Sequence, residues 1–406
     1  VNDNQMSIDD NVGGLVTALK KLRDSNGETK ENPFTAMGFD YRYVGDGNDI
    51  QSMIDAFKAV KNVDHPILLH INTLKGKGYQ PAIDNEEAHH WVMPFDLKTD
   101  KTTVAMPEGP TASSIALDVL EDHINNGEKI MAINAAIPGV FGLDRIKNKY
   151  PENYHDVGIA EQESVAFAAG MAKEGATPVL FENSTFLQRA FDQLSHDVAA
   201  NDLPVVMMVA GGGISGTSKT HLGVFDQVMI SNLPNWIYLA PTNLAEEKAM
   251  MEWAIKQKKH PVAIKMPTKD VPEGKEITAV DYSEIKYDIK PGKDVAVLAL
   301  GDMYDMLGKK VAEKTGASLV NPVSANILDT AALDKLAQEN KVIVTIEDNI
   351  LDGGFGEKVA SYLGDKDIKV LNYGQKRVYT DQVPLKEILK ANRMTVDQIV
   401  EDIENA

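Results

Sequence analysis

The feature that most constrains this chain is a repeated alternation of short apolar runs with segments of helical periodicity. Apolar runs stand at Ile67–Ile71, Ile130–Asn134, Val179–Phe181, Val205–Val209, Trp236–Ala240, Val262–Lys265, Val295–Leu300, Ser318–Asn321 and Val342–Glu347. Between them lie stretches with helix-type spacing, at Ile50–Val60, Ser113–Ile124, Leu187–Ala200, Ala245–Lys256 and Ala331–Gln338. Strand, turn, helix, strand in that order is what parallel α/β sheets are made of. The expected fold class is α/β: three open α/β domains with mainly parallel sheets and ligand-binding loops at the strand C-termini.

Boundaries follow from breaks in the alternation. A first domain with its linker is expected over 1–106, a second over 107–288 and a third over 289–406. The first opens on a cap-rich segment before Leu15, Val16, Leu19 and Leu22, which are spaced for a helix. Asp84 to Pro94 reads as loop and Leu97 to Gly109 as linker. The opening Val1-Asn2-Asp3-Asn4 has neither an initiator Met nor the basic and apolar regions of a signal peptide. It reads as the end of a strand, and the expectation is a fragment of a longer chain.

Composition narrows the partners. With 406 residues and a net charge of −19, nucleic acid and anionic membranes are not expected. An acidic protein that handles phosphorylated ligands must build local basic sites, so single Lys and Arg positions carry information. There is no cysteine, so neither disulfides nor thiolate chemistry is available. No apolar run is long enough for a membrane span.

The stretch Gly158–Gly170, GIAEQESVAFAAG, is chemically suggestive. A strand-like run ends in Gly158. Glu161 then opens a helix, where the positive end of the dipole favours a carboxylate. Small residues behind it (Ala166, Ala168, Ala169 and Gly170) allow close packing. A rigidly held carboxylate suits acid/base work, and it equally suits an N-terminal cap.

NDNQMSIDDNVG, DGND with PILLHINTLKGKGY, DVGIAEQ with FAAGMA, STFLQRAFDQLSHDVA, THLGVFD and TIEDN with GGFG occur in one order. That order resembles the thiamine-diphosphate enzymes of the transketolase group, and the 1-deoxy-D-xylulose-5-phosphate synthase family most closely. The resemblance covers essentially the whole chain. It implies a partial pyrophosphate-binding domain, a pyrimidine-binding domain and a transketolase-type C-terminal domain. It also implies thiamine diphosphate and Mg²⁺ as cofactors. The expected reaction moves a two-carbon unit from a keto-acid or sugar donor to an aldehyde or aldose phosphate. A cytoplasmic homodimer is implied, without nucleic-acid or membrane partners.

By the same resemblance, Glu161 is the carboxylate that hydrogen-bonds the aminopyrimidine, a role for which burial and a shared proton are the physical requirement. Phe186 matches the ring stacked on the aminopyrimidine. Arg189 matches an arginine for the substrate phosphate, and a guanidinium binds phosphate bidentately. Lys219 and Lys269 are further candidates for that phosphate. His221 and His90 match histidines near the reacting carbons, where an imidazole can move protons.

The metal motif of the group is Gly-Asp-Gly followed by Asn. Gly45-Asp46-Gly47 with Asn72 imitates it internally, but the surrounding segments match elements downstream of the true motif. NDNQM matches the Asn end instead, so Asn4 by its side chain and Met6 by its carbonyl are the expected ligands. Oxygen ligation suits Mg²⁺. The Gly-Asp-Gly turn would then belong to the family's leading segment, which the resemblance does not find here.

Departures from the synthase pattern gather on the acceptor side. Asn183 stands at a tyrosine position, Thr217 at an aspartate, Glu163 at a histidine and Thr268 at an arginine. An altered acceptor is therefore expected. The alternatives are a transketolase in the narrow sense and a non-catalytic, regulatory subunit.

Overall fold

The computed structural model describes residues 1–8, 11, 13–104, 108–268, 271–277 and 280–406. The chain forms two compact units. The first comprises residues 1–107 with 136–139 and 157–159, and the second holds the remainder.

In the first unit, strands β1 (Asn2–Asp3), β2 (Asp40–Val44) and β3 (Ile67–Asn72) form a parallel sheet in the order β1-β3-β2. The helix Ile50–Val60 carries the crossover from β2 to β3, and the Asp49 carboxylate caps it by accepting the Ser52 N–H at 2.7 Å. The helix read near Leu15 runs over Gly14–Asp24, yet only Leu22 of its apolar face is buried and Leu15 is 57% exposed. Asp3 is a buried carboxylate with full compensation. Arg23 donates to it at 2.6 Å, and His70 Nε2 lies 2.8 Å from the same oxygen. The Tyr41 hydroxyl in turn lies 2.7 Å from His70 Nδ1. Such pairing is what makes a buried charge tolerable. The stretch read as linker begins instead in a small antiparallel hairpin, β4 (Phe95–Asp96) with β5 (Lys101–Thr102). The Asp96 carboxylate closes it by accepting the Lys98 and Thr99 N–H groups, each at 2.9 Å.

The second unit contains two sheets. One is six-stranded and wholly parallel, built from β6 (Ile130–Asn134), β7 (Tyr154–Asp156), β8 (Thr177–Asn183), β9 (Val206–Ala210), β10 (Ile237–Leu239) and β11 (Val262–Lys265). Its order is β10-β11-β9-β8-β6-β7. The other is five-stranded, built from β12 (Asp288–Lys290), β13 (Asp294–Ala299), β14 (Ser318–Asn321), β15 (Asn340–Ile350) and β16 (Lys369–Gln375). Its order is β12-β14-β13-β15-β16, and only β12 runs antiparallel to its neighbour. The two sheets are tied through backbone, Ala240 N–H donating to the Val323 carbonyl and Ala325 N–H to the Tyr238 carbonyl, both at 2.8 Å.

The strands are apolar because helices cover them, as with Ala112–Asn125, closed by a Thr111/Ser114 capping box, and Leu244–Gln257, capped by Asn243. Sequence reading did not find β12, β16 or the last two helices, Leu385–Ala391 and Val396–Glu404. These helices place Ile388 and Ile399 in the core of the five-stranded sheet. Among the described residues, no helix is long and apolar enough to cross a membrane.

Candidate active site

The helix Glu161–Lys173 follows β7 and presents Glu161, Ser164, Val165, Ala168, Ala169 and Ala172 to the interior. That spacing is a single helical face. Close packing rests on Ser164 and these alanines rather than on Gly170, which faces open space. No side chain caps the helix from Ala160. Glu161 is 3% exposed, and Arg189 Nη1 stands 2.7 Å from its Oε2. The contact is an ion pair without the angle of a directed hydrogen bond. Arg189, with 46% of its side chain exposed, keeps other N–H groups available to an anion.

Arg189 reaches Glu161 because the chain after β8 turns sharply. Phe186 N–H donates to the Asn183 carbonyl at 2.9 Å, and a 3₁₀ turn over Leu187–Ala190 follows. The helix read over Leu187–Ala200 is irregular. After the 3₁₀ turn come one α turn and a wide π turn over Leu194–Ala199. Such mid-helix changes of winding are frequent at functional sites. Phe186 is half-buried, and its ring meets the His221 ring edge-on, with centroids 5.8 Å apart and an interplanar angle of 72°.

His221 is exposed at the end of the glycine-rich loop after β9. The loop closes on itself where Gly213 N–H donates to the Gly223 carbonyl at 2.6 Å. A Cβ at Gly223 would lie 1.9 Å from the Gly211 carbonyl oxygen, so only glycine fits there. The Thr220 hydroxyl is 2.9 Å from His221 Nδ1, which fixes one edge of the imidazole. Lys219 is turned outward, its backbone N–H donating to Asp381 and its ammonium 3.8 Å from the same carboxylate. Lys269 lies outside the described residues.

Asn183, Thr217, Thr268 and His221 line one cavity of about 320 Å³, together with Gly211–Gly213, Asp302 and Asp348. Three of the four departure positions thus share a wall with the histidine. Asp302 accepts from the Thr268 N–H at 3.1 Å and its hydroxyl at 2.7 Å. Burial, and then the charge of Asp348, raise the Asp302 carboxyl above the usual range. Asp348 pairs with Lys265, and both are buried. Burial works to lower the Lys265 ammonium, but Asp348 and Asp226 outweigh it and hold it above its ordinary value.

The remaining candidates belong to the first unit. Asn4 folds back, its side-chain oxygen accepting the Met6 N–H at 3.3 Å. Lys75 donates to the neighbouring Ser7 carbonyl at 2.5 Å. His90 sits against the same Ser7 backbone, and burial followed by the charge of Lys75 pushes its imidazole down. His89 is held structurally, between the Asn85 carbonyl at 2.9 Å and Asp100 at 3.0 Å. The internal imitation of the metal motif does come together. Gly47 N–H donates to the Asn72 carbonyl at 2.8 Å, and Asn72 Nδ2 to the Gly45 carbonyl at 3.4 Å.

A buried carboxylate, a half-buried ring and a guanidinium at adjoining strand ends fit an aminopyrimidine with an anionic substituent. Asn4 and Met6 offer hard oxygens of the kind Mg²⁺ takes, but only two of them. Among the described residues, no three His, Asp or Glu side chains gather for a metal.

Sequence reading missed Glu182, Lys265, Asp302 and Asp348. For Glu182 and Lys265 there was a signal, since each is a charge at the end of an otherwise apolar strand.

Three family models match the chain: the transketolase pyrimidine-binding domain over residues 109–273, the transketolase C-terminal domain over 283–399, and 1-deoxy-D-xylulose-5-phosphate synthase over 27–73. Among curated relatives, the 1-deoxy-D-xylulose-5-phosphate synthase of Pseudoalteromonas translucida is 35% identical, over 92% of this chain and 66% of its own length. That of Clostridium botulinum is 35% identical over 92% and 67%, and that of Clostridium acetobutylicum 32% over 99% and 72%. The chain spans about two thirds of the length of these relatives. A solved structure described as a split gene transketolase, inactive beta4 tetramer, shares the fold with a TM-score of 0.63 and 22% identity. The match covers 74% of this chain and 98% of that one. The chain belongs to the 1-deoxy-D-xylulose-5-phosphate synthase family, within the transketolase group of thiamine-diphosphate-dependent proteins.

Proposed function

We propose that the chain is a transferase that moves a two-carbon unit to an aldehyde or aldose phosphate, using thiamine diphosphate with Mg²⁺. The observation that carries this reading is Glu161, buried at an uncapped helix start and paired with Arg189. Thiamine diphosphate, when bound, supplies the carbanion that cleaves and forms the carbon–carbon bond. The work of this chain is to hold and orient. Glu161 hydrogen-bonds the aminopyrimidine, and the Phe186 ring packs against its face. Arg189 shields the Glu161 charge and offers its remaining N–H groups to a phosphate, with Lys219 and Lys269 as further cations. His221 and His90 hold protons for the substrate oxygens. Asn4 by its side-chain oxygen and Met6 by its carbonyl would hold the metal, which would in turn anchor the diphosphate.

The reading of an altered acceptor rests on the departures at Asn183, Thr217, Glu163 and Thr268, and the cavity beside His221 supports it. Asn183, Thr217 and Thr268 line that cavity with Asp302 and Asp348, an environment suited to a hydroxylated acceptor other than glyceraldehyde 3-phosphate. The same reading includes a homodimer in the cytoplasm, checked by the mass of the purified protein in solution and by fractionation.

The test is near-ultraviolet circular dichroism on adding thiamine diphosphate and Mg²⁺, with Glu161→Ala as the control. A saturable signal in the wild type that is lost in the variant is expected. The same signal in both would overturn the role of Glu161. Efficient deoxyxylulose phosphate synthesis from pyruvate and glyceraldehyde 3-phosphate would overturn the altered acceptor.

A further inference from the structure

Glu182, next to last in β8, is the one charged residue of that strand, and it is 1% exposed. The flanking strands β6 and β9 bring only apolar side chains and Asn134 to either side. One carboxyl oxygen accepts the Asn183 N–H at 2.9 Å. The other, Oε2, is buried and has no hydrogen-bond partner among the described residues. An orphaned buried oxygen is costly, and native structures keep one where it serves something else. The charged groups facing Glu182 are Glu161 from the helix that follows β7, Asp156 from β7 itself, and Arg189 from the turn after β8. The charges of two carboxylates and one guanidinium thus act on a third carboxyl, and one nitrogen of that guanidinium already pairs with Glu161.

Carboxyls crowded in this way cannot all ionise, and the proton settles on the member with the poorest solvation. For Glu182, burial followed by the charges of Glu161 and Asp156 pushes the carboxyl up to about 8, against the opposing pull of the Asn183 N–H and Arg189. At neutral pH it is a neutral acid. The Glu161–Arg189 pair beside it then carries no net charge.

We propose that Glu182 is a positioning residue for Glu161: a buried carboxyl, held by the Asn183 N–H with its second oxygen unpaired, that keeps the Glu161–Arg189 pair electrically balanced and so sets the hydrogen bond Glu161 makes to a bound aminopyrimidine. This rests on the cofactor reading given above. When Glu182 ionises, its proton leaves to solvent and a second negative charge appears beside Glu161. That charge repels the Glu161 carboxylate, and the hydrogen bond Glu161 makes to the ring changes.

Thiamine diphosphate affinity, followed by near-ultraviolet circular dichroism between pH 6 and 9.5, tests the proposal. If only the form with neutral Glu182 binds well, affinity falls about tenfold between pH 7 and pH 9 in the wild type. In Glu182→Gln, which keeps an acceptor for Asn183 and cannot ionise, that inflection disappears. Matching profiles in the two proteins overturn the proposal. The second arm needs no cofactor: ¹³C-carboxyl NMR of glutamate-labelled protein, with the Glu161 signal assigned through Glu161→Gln. A carboxyl titrating near pH 8 should vanish in Glu182→Gln, and the Glu161 signal should shift through the same midpoint in the wild type. A Glu161 signal that ignores this midpoint also overturns the proposal. Absence of cofactor binding at every pH, with the NMR coupling present, removes the cofactor reading and leaves the Glu182–Glu161 coupling standing.

Discussion

Arg189 holds its guanidinium 2.7 Å from the carboxylate of Glu161, so the charge buried at the helix start is neutralised from a turn that belongs to a different strand. The two partners are unequally solvated, Glu161 nearly buried and Arg189 about half exposed. Removing the arginine strands a buried charge, whereas removing the charge leaves an arginine that water can satisfy. Arg189→Ala is therefore expected to cost about 1–2 kcal/mol, below the range for a fully buried broken pair, because water can enter at the exposed side. Glu161→Gln should cost under about 0.5 kcal/mol, and in its background Arg189→Ala should add little. Urea denaturation of the four proteins checks this, and equal, additive losses would contradict it.

Lys265 and Asp348 form the opposite case, since both are buried. Lys265 closes a strand of the six-stranded sheet and Asp348 lies in β15 of the five-stranded one. Asp226 and Asp302 add further negative charge around the same ammonium. Lys265→Met should destabilise the chain by about 3–5 kcal/mol, because Asp348 is left without its counter-ion. Lys265→Met with Asp348→Asn should recover at least half of the loss. Chemical denaturation of the single and double variants reads both numbers.

The contrast between these pairs marks what the sequence could tell. The apolar runs at Ile130–Asn134, Val262–Lys265 and Ser318–Asn321 became strands with unchanged boundaries, because helices cover them and local pattern agrees with tertiary need. Motif and order singled out Phe186 and His221, and the structure brings their rings together. The Glu161–Arg189 and Lys265–Asp348 pairs were not legible. They join residues 28 and 83 positions apart, which only the strand order places side by side. The irregular winding after Leu187 was hidden for a related reason, since periodicity predicts helix without predicting how tightly it turns.

Glu347 supplies a pH signature. It lies buried in β15 and accepts the N–H groups of Phe355 at 3.0 Å and Gly356 at 2.8 Å. Burial outweighs those donors and pushes its carboxyl from 4.5 up to about 7. The folded form thus binds a proton that the unfolded chain has released. The resulting stability is present in full below about pH 4.5, declines as pH rises through about 7 and is gone above it. A loss of roughly 3–3.5 kcal/mol across that window follows from the shift. Glu347→Gln should flatten this part of the profile while costing about 1 kcal/mol at pH 5, where one N–H bond is lost. Stability curves from pH 4.5 to 8.5 measure both effects.

Phe186 offers its ring to His221 on one edge and, in the proposed function, a face to the aminopyrimidine. Phe186→Ala should weaken thiamine diphosphate binding about three- to tenfold, the worth of one aromatic contact of about 0.5–1.5 kcal/mol. Phe186→Tyr should stay within about twofold, since the ring remains. Titration of the circular-dichroism signal separates them, and equal losses in both variants would show that the ring face is not what the ligand meets.

The two candidate metal segments make opposite predictions in one experiment. Asp46 lies near Lys77, at 3.9 Å, while Gly45 and Gly47 beside it hydrogen-bond to Asn72, which gives this segment a structural task. Asn4 sits in a tight turn in which its side-chain oxygen accepts a long 3.3 Å bond from the Met6 N–H. An oxygen so weakly held can be turned toward an ion at low cost. Asn4→Ala should therefore raise the Mg²⁺ concentration needed for half-maximal thiamine diphosphate binding by about tenfold or more, equivalent to about 1.4 kcal/mol. Asp46→Ala should leave that requirement within about twofold. Reversal of this order, read by Mg²⁺ titration at fixed cofactor, would move the metal to the internal Gly-Asp-Gly segment.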